Sequence, residues 1–141
     1  MSEHFSTRDG SAIVADLVSV IVANREYLSA VDGAIGDGDH GINMAKGFAH
    51  CGRTIEGRQL SLAEALDELT LSLMEGIGGS MGPLYGSLFI GMADEVRSSE
   101  DIDAATFAHL LRGGLTSLQD ITEAGVGDKC LKIGRASCRE R

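Results

Sequence analysis

Apolar side chains recur every three to four positions along most of this chain, and that spacing predicts amphipathic α-helices. The first predicted helix runs from Ser11 to about Ala30. Its apolar positions are Ile13, Val14, Leu17, Val18, Ile21 and Leu28. No segment alternates apolar and polar residues between hairpin turns, so no strand is predicted. The pattern is therefore typical of an all-α protein.

Local signals mark a second and a third helix. The second is predicted from Gly41 to about Arg58, although Gly47 and Gly52 weaken its helical propensity. Ser61 is followed three residues later by Glu64 and then by an apolar run. This is the pattern of a capping box, in which the two side chains bind each other's backbone N–H groups. We therefore expect the third helix to begin directly after Ser61.

Two further helices complete the pattern. Ser80 is a candidate cap for the fourth helix, whose first turn contains the only proline, Pro83. Asp103 begins the fifth helix, and Gly125 suits its C-terminal stop. Five amphipathic segments joined by short glycine-rich loops predict antiparallel helices packed as a bundle or a helical barrel.

Composition limits the classes of partner. The 141 residues are 43% apolar, which suffices for one buried core, and they carry a net charge of -9. Nucleic acids and anionic membrane surfaces require a basic patch that this sequence lacks, so neither is an expected partner. Residues 1–10 form a polar N-terminal tail, and no apolar run reaches membrane-spanning length. We expect a soluble, cytoplasmic protein. Three cysteines without a C-x-x-C pair favour neither disulfides nor zinc.

A dense acidic loop lies between the first two predicted helices. Its residues are Asp32-Gly33 and then Gly36-Asp37-Gly38-Asp39-His40-Gly41. Carboxylates this close repel one another unless a cation lies among them, and glycines let the backbone turn sharply around a ligand. Aspartates also commonly cap helices and turns, but three of them clustered among glycines favour a magnesium site. Because one ion cannot neutralise three carboxylates and a nucleotide di- or triphosphate, two ions are expected.

Two better-known motifs do not fit this loop. The spacing from Gly36 to Gly41 matches G-x-G-x-x-G, but that fingerprint requires a preceding strand, and a helix is predicted here. Counted from Asp37, the fifth, sixth and twelfth positions of an EF-hand loop would hold glycine, isoleucine and phenylalanine. An EF-hand instead needs an oxygen ligand, glycine and glutamate at those places. Both alternatives are rejected.

Two predicted helix starts suit an anion. The second helix begins next to the acidic loop, and helix N-terminal N–H groups attract phosphate. His40 could bind that phosphate or cap the helix, and Asn43 could be an ordinary first-turn residue. The run from Gly78 to Pro83 repeats the arrangement, with a flexible glycine pair, the Ser80 hydroxyl and a helix start. Two such starts can face one polyphosphate.

These motifs, taken in order, resemble those of the dihydroxyacetone kinase L subunit, the nucleotide-binding component of that kinase. The matching segments are Asp32-x4-Asp37-x-Asp39-His40-Gly41-Ile42-Asn43-Met44, Gly78-Gly79-Ser80-Met81-Gly82-Pro83-Leu84-Tyr85-Gly86 and Gly127-Asp128-Lys129. The family is an all-α barrel of antiparallel helices that carries a nucleotide and two magnesium ions at one end. The five predicted helices would form only part of that barrel.

The resemblance assigns roles to individual residues. It implies metal ligands at Asp32, Asp37 and Asp39. It implies nucleotide contacts at His40, Gly41, Ile42, Asn43, Ser80, Met81 and Leu131. The cofactors would be ADP or ATP with two Mg²⁺, and no covalent nucleophile is required of this subunit. A partner K subunit would hold dihydroxyacetone and receive the phosphoryl group on it.

The resemblance also covers the phosphoryl donor and the competing functions. One version of the family uses ATP in a fused chain, and the other recharges bound ADP from a phosphotransferase-system protein. With Met1 and a short tail and no K domain upstream, this chain resembles the second version. Alternatives are a kinase of another small sugar, the nucleotide domain of a fatty-acid kinase, which typically has threonine at the place of His40, and a non-catalytic module that binds a transcriptional regulator.

The end of the chain departs from the family. Cys130 and Leu131 stand where the family usually has threonine and methionine, and Ile133 stands where it has aspartate. Residues 133–141 can be back-translated into a common sequencing adapter, so we interpret them as adapter read-through after a truncated domain at 11–132. The family's last helices would then be missing. We expect such a chain to expose apolar surface, to express poorly or aggregate, and to be inactive alone.

Overall fold

The computed structural model describes residues 3–125, which form six α-helices and two three-residue strands. The helices are α1 (Gly10–Ala23), α2 (Arg25–Gly33), α3 (His40–Ile55), α4 (Leu62–Gly76), α5 (Met81–Val96) and α6 (Ala104–Ile121). The strands are β1 (His4–Ser6) and β2 (Asp101–Asp103), and a turn of 3₁₀ helix at Thr7–Asp9 links β1 to α1. The predicted all-α class is confirmed.

The first predicted helix is two helices, because Asn24 interrupts the helical backbone. This residue has φ -97° and ψ 12°, outside helical geometry. Its side-chain Nδ2 donates to the carbonyl oxygen of Val20 at 2.8 Å. Asparagine side chains compete in this way with backbone hydrogen bonding and thereby disfavour helix interiors. The prediction of one continuous helix to Ala30 was wrong, and α2 carries the chain onward to Gly33.

The predicted capping signals at two helix starts are confirmed. The Ser61 N–H donates to Glu64 Oε2 at 2.8 Å, and the Glu64 N–H donates to Ser61 Oγ at 3.3 Å. Asp103 Oδ1 accepts from the Thr106 N–H at 2.8 Å and starts α6. Because each cap satisfies backbone donors that a helix cannot satisfy itself, α4 and α6 begin where the sequence indicated.

The core is centred on α4, which packs against α1, α3 and α5, while α6 packs against α5. Leu69 and Leu73 of α4 are fully buried, and Val14, Cys51 and Val96 meet them from the surrounding helices. α4 runs antiparallel to both α3 and α5. Arg58, just after α3, pairs with Glu68 early in α4, while a Cβ at Gly82, at the start of α5, would lie 2.9 Å from the Leu73 carbonyl oxygen near the end of α4. Consequently α3 and α5, on either side of α4, begin at the same end of the bundle.

The two strands form a clasp, which we define as residues 4–7 paired with residues 99–103. β1 and β2 are antiparallel, with Phe5 opposite Ile102. The Thr7 N–H donates to the Glu100 carbonyl at 2.9 Å, and Thr7 Oγ1 lies 2.9 Å from the Ser99 carbonyl oxygen. The expectation of no strand was wrong, because three residues are too few to show an alternating pattern. Residues within the predicted polar tail thus help to hold the bundle together.

Several apolar side chains remain exposed on two outer faces. The α1–α2 face exposes Val20, Tyr27 and Val31, and α6 exposes Phe107 and Leu111. Across residues 3–125, no helix has both the length and the apolar character needed to span a membrane.

Candidate functional site

Three aspartates converge at the junction of α2 and α3. Asp32 lies in the last turn of α2, and Asp37 and Asp39 lie in the loop before α3. One carboxylate oxygen from each residue falls within 4.8 Å of the others. Asp32 is half-buried, whereas Asp37 and Asp39 are exposed. The structure therefore brings together the three carboxylates that the sequence singled out.

Asp32 organises the whole loop. Its main-chain oxygen accepts from the N–H groups of Ile35 at 3.1 Å and Gly36 at 2.6 Å. Its Oδ2 accepts from the N–H groups of Gly38 at 3.0 Å and His40 at 3.4 Å. Gly38 has φ +78°, and a Cβ at Gly36 would lie 2.5 Å from Asp32 Oδ1. Glycine is needed at both positions for the loop to wrap this carboxylate.

The other two aspartates also have structural partners. Asp37 Oδ1 accepts from the Asp39 N–H at 3.3 Å, and Asp39 Oδ2 accepts from Asn43 Nδ2 at 2.9 Å. These bonds, like those of Asp32, involve one side-chain oxygen of each carboxylate. The same aspartates thus form turn hydrogen bonds and also bring their carboxylates close together.

The charge of this cluster is not balanced by basic side chains. In the part of the chain that the structure describes, the ion pairs join Arg58 to Glu68 and Arg97 to Asp67 and Asp94, away from the cluster. Three adjacent carboxylates without a cationic partner repel one another. Their hard oxygen atoms are the ligands that Mg²⁺ and Ca²⁺ prefer. The residues present therefore fit a divalent cation.

The start of α3 leaves backbone donors open beside the cluster. Asp39 precedes the helix, but its side chain makes no capping hydrogen bond. The His40 N–H is taken by Asp32, and the Asn43 N–H donates to the Asp39 carbonyl at 3.0 Å. The N–H groups of Gly41 and Ile42 belong to the first turn, where a helix supplies no acceptor of its own. This end of α3 is suited to an anion.

Gly41 allows α3 to lie directly against α2. A Cβ at this position would lie 2.6 Å from Ser29 Oγ and 2.7 Å from Ser29 N, and it would overlap the carbonyl oxygen of Arg25. The Ser29 hydroxyl is buried and has no hydrogen-bond partner among the described residues. We did not identify Ser29 from the sequence, because nothing in its local pattern signals this contact.

The start of α5 also lacks a side-chain cap. Gly79 has φ +71°, and Ser80 precedes the helix without a side-chain capping bond. The expectation that the Ser80 hydroxyl caps α5 was therefore wrong. The Leu84 N–H donates to the Ser80 carbonyl at 3.1 Å, and Pro83 has no N–H. The N–H group of Met81 consequently lies in an uncapped first turn, although its side chain packs against the core.

The starts of α3 and α5 are neighbours. The rings of His40 and Tyr85 have centroids 6.3 Å apart and are tilted by 52°. Tyr85 lies one turn into α5, so it contacts His40 from the second helix start. Burial raises the pKa of Tyr85, which keeps its phenol neutral. The sequence placed Tyr85 inside a motif without a role, although its spacing of four from Met81 puts both residues on one helix face.

The remaining site predictions divide into two groups. Ile42 is 48% exposed and Asn43 is half-buried, so both are at the surface of this end of the bundle. Leu131 and the segment 127–129 lie outside the described residues.

A separate groove of about 390 Å³ runs between α5 and α6. Charged side chains of both signs line it, including Asp94, Glu95 and Arg112, together with His109. It shares no residue with the aspartate cluster and lies against the later turns of α5, away from the helix starts. We therefore locate the candidate site at the aspartate cluster and not in this groove.

Comparison with known proteins identifies the family of this chain. Residues 34–132 match the DAK2 domain family. The ADP-binding subunit DhaL of the PTS-dependent dihydroxyacetone kinase of Lactococcus lactis is 38% identical over 112 residues, which are 79% of this chain and 56% of that protein. The ADP-binding subunit DhaL of the PEP-dependent dihydroxyacetone kinase of Escherichia coli is 29% identical over 113 residues, 79% of this chain and 54% of that protein.

A longer relative matches the same region. Triokinase/FMN cyclase of Homo sapiens is 31% identical over 123 residues, which are 85% of this chain and 21% of that protein. The chain spans about half the length of the DhaL subunits it matches. The family match includes two of the three clustered aspartates and both helix starts. By this match, and by the motifs at its aspartate cluster, the chain belongs to the DAK2 domain family.

Proposed function

We propose that this chain is the nucleotide-binding subunit of a dihydroxyacetone kinase, and that it carries ADP or ATP with two Mg²⁺ ions. The observation that supports this proposal most directly is the convergence of three carboxylates without a cationic partner beside two helix starts, where Asp39 and Ser80 make no side-chain capping bond. The relatives named as ADP-binding DhaL subunits support the nucleotide. Magnesium and its count rest on the chemistry of the oxygen ligands and on the charge they must share with phosphate.

The aspartates would hold the metal ions. Asp32 is fixed by two backbone N–H groups, so its position does not depend on a ligand. Asp37 and Asp39 are exposed, and each keeps one carboxylate oxygen outside its hydrogen bond, so both would be accessible for exchange of ions and water. Bound magnesium would offset phosphate charge and orient the terminal phosphoryl group.

The helix starts would hold the phosphates. The N–H groups of Gly41 and Ile42 on α3, and those of Met81 and Gly82 on α5, would donate to phosphate oxygens. The Ser80 hydroxyl would add a further donor, since it makes no capping bond in the helix. No step in this scheme requires a covalent intermediate on the chain itself.

The acceptor would be dihydroxyacetone held by a partner K subunit, and a phosphotransferase-system protein would recharge the bound ADP. Asp37 and Asp39 are exposed, which is compatible with docking of a partner protein, because phosphoryl transfer to a substrate on another protein requires a solvent-accessible site. A cytoplasmic location accompanies this proposal, as the phosphotransferase donor would have to reach the site.

The test compares two isosteric variants. Asp37→Asn removes one charge of the cluster, whereas Asp16→Asn makes the same change on the exposed face of α1. Equilibrium dialysis with ADP, with and without Mg²⁺, should show that Asp37→Asn abolishes magnesium-dependent retention and that Asp16→Asn retains it. If Asp37→Asn binds ADP with unchanged magnesium dependence, the metal assignment is wrong.

A second assay addresses the reaction. Purified K subunit and a phosphoryl donor are added to this chain, and dihydroxyacetone phosphate is measured. Turnover that depends on the phosphotransferase donor supports the proposed subunit, and turnover with ATP alone supports the ATP-using version. Nucleotide binding without turnover would instead favour a non-catalytic nucleotide module.

A further inference from the structure

We propose that Tyr85 is a positioning residue that holds the His40 imidazole between the two phosphate-binding helix starts. This inference rests on the proposed function, since it assigns His40 to the phosphates. It concerns a side chain that would act through another side chain and would not itself contact the nucleotide. The evidence is the contact between these two rings, made across the gap between α3 and α5.

His40 is held from two directions. Its main-chain N–H donates to Asp32 Oδ2 at 3.4 Å, so its backbone is tied to the aspartate cluster. Its ring lies 6.3 Å from the ring of Tyr85, at a tilt of 52°, within the range in which aromatic rings attract one another. With the backbone fixed, the orientation of the imidazole depends on what its ring contacts.

Tyr85 is itself firmly placed. It is half-buried and packs against the hydrophobic core. The next residue, Gly86, fits so closely that an added Cβ would lie 2.8 Å from the Met74 methyl carbon. The Gly86 carbonyl also accepts from the buried Thr70 hydroxyl at 3.3 Å. The backbone beside Tyr85 is thus attached to α4, and the Tyr85 ring packs between the hydrophobic core and His40.

This arrangement has a consequence for the proposed phosphate site. A histidine on the first turn of an exposed helix end can rotate towards solvent, and ordering it on binding costs conformational entropy. The Tyr85 ring restricts that rotation before the nucleotide arrives. The His40 ring nitrogen is then available to a phosphate that both helix starts also contact.

The experiment is a double-mutant cycle with Mg²⁺-ADP on the full chain, read by calorimetry. The variants are Tyr85→Leu, His40→Ala and their combination, with Tyr85→Phe as the conservative control. We expect Tyr85→Leu to weaken binding about two- to tenfold, as for loss of one aromatic contact. Tyr85→Phe should bind within about twofold of the wild type, because it keeps the ring. In the His40→Ala background, Tyr85→Leu should have no further effect.

A second measurement uses the nucleotide-free protein. The ring protons of His40 should shift in the NMR spectrum of Tyr85→Leu and remain near their wild-type positions in Tyr85→Phe. A Tyr85→Leu effect of equal size with and without His40 would show that Tyr85 only stabilises the fold, and would overturn the positioning role.

The remaining outcomes are equally decisive. Equal losses in Tyr85→Phe and Tyr85→Leu would mean that the hydroxyl acts and not the ring, which also overturns the role. Unchanged His40 ring-proton shifts in Tyr85→Leu would show that the rings do not meet in solution. A wild-type chain that fails to bind Mg²⁺-ADP would overturn the proposed function, and the positioning role with it. Wild-type binding with an uncoupled cycle overturns the positioning role alone.

Discussion

The contact between α2 and α3 at Gly41 gives a sharp prediction. Gly41→Ala adds one methyl group where the structure has no room for it. The new Cβ would lie 2.6 Å from Ser29 Oγ and would overlap the carbonyl oxygen of Arg25. Because the Arg25 carbonyl belongs to the backbone of α2, a side-chain rotation cannot relieve the overlap. The two helices must move apart.

The size of the effect follows from two opposing terms. Atoms at 2.6 Å are about 1 Å inside a comfortable contact distance, and overpacking of this kind costs typically about 1–3 kcal/mol. Alanine in a helix gains up to about 1 kcal/mol over glycine. Because the overlap is with backbone, the cost should lie in the upper part of that range, at about 2–3 kcal/mol, which leaves a net loss of about 1–2 kcal/mol in the free energy of unfolding. Separation of the helices would also lengthen the bond between the His40 N–H and Asp32, so magnesium binding should weaken.

Urea unfolding followed by circular dichroism measures the first effect, and magnesium titration measures the second. Gly52→Ala, in the same helix, is the matched control. The three atoms nearest to its Cβ all belong to the half-buried Val18 side chain, the closest at 3.0 Å, and this side chain can shift by a few tenths of an ångström, so the stability should stay within about 0.5 kcal/mol of the wild type or exceed it. If Gly41→Ala is as stable as Gly52→Ala and binds magnesium normally, α2 and α3 do not pack closely at Gly41 in solution.

Four further outcomes can be measured. Gly38→Ala, at φ +78°, should cost about 1 kcal/mol in thermal melting and weaken magnesium binding, whereas Gly78→Ala, with no atom within 4 Å, should be tolerated. Hydrogen bonds from the backbone and side chain of Ser61 lower the pKa of Glu64 below 4.5. The ionised Glu64 therefore stabilises the fold above that pH, and this stabilisation is lost as the pH falls through the lowered pKa. In Ser61→Ala, the free energy of unfolding should therefore fall less steeply than in the wild type as the pH is lowered below 4.5. Burial raises the pKa of Cys51 to about 11, so peptide mapping should find it alkylated at about pH 8 only after unfolding. Light scattering should detect self-association through the exposed apolar faces of α1, α2 and α6.

Features set by nearby residues were predictable from the sequence. The capping box at Ser61 and the cap at Asp103 are hydrogen bonds between residues three apart, so the pattern contains both partners. The aspartate cluster was predictable for the same reason, as its three members lie within eight residues. The break at Asn24 was not, because the apolar period continues across it to Leu28 and gives no sign of the interruption.

Features that depend on tertiary packing could not be predicted in this way. The approach of His40 to Tyr85 requires α4 to lie between α3 and α5, and no local signal encodes that distance. The sequence also did not indicate that the Ser80 hydroxyl makes no capping bond, since a serine before a helix normally caps it. The serine that breaks this rule is thus one of the residues proposed to bind a ligand.

The clasp has a consequence for how the chain reaches this structure. Thr7 and Ser99 are separated by 92 positions, so β1 is synthesised long before β2, the strand with which it pairs. Closing a loop of that length is entropically unfavourable until the intervening helices have formed. The aspartate cluster and both helix starts, by contrast, lie between Asp32 and Tyr85. The binding end can therefore assemble during synthesis before the N-terminal strand finds its place, and the clasp closes late as the step that completes the bundle.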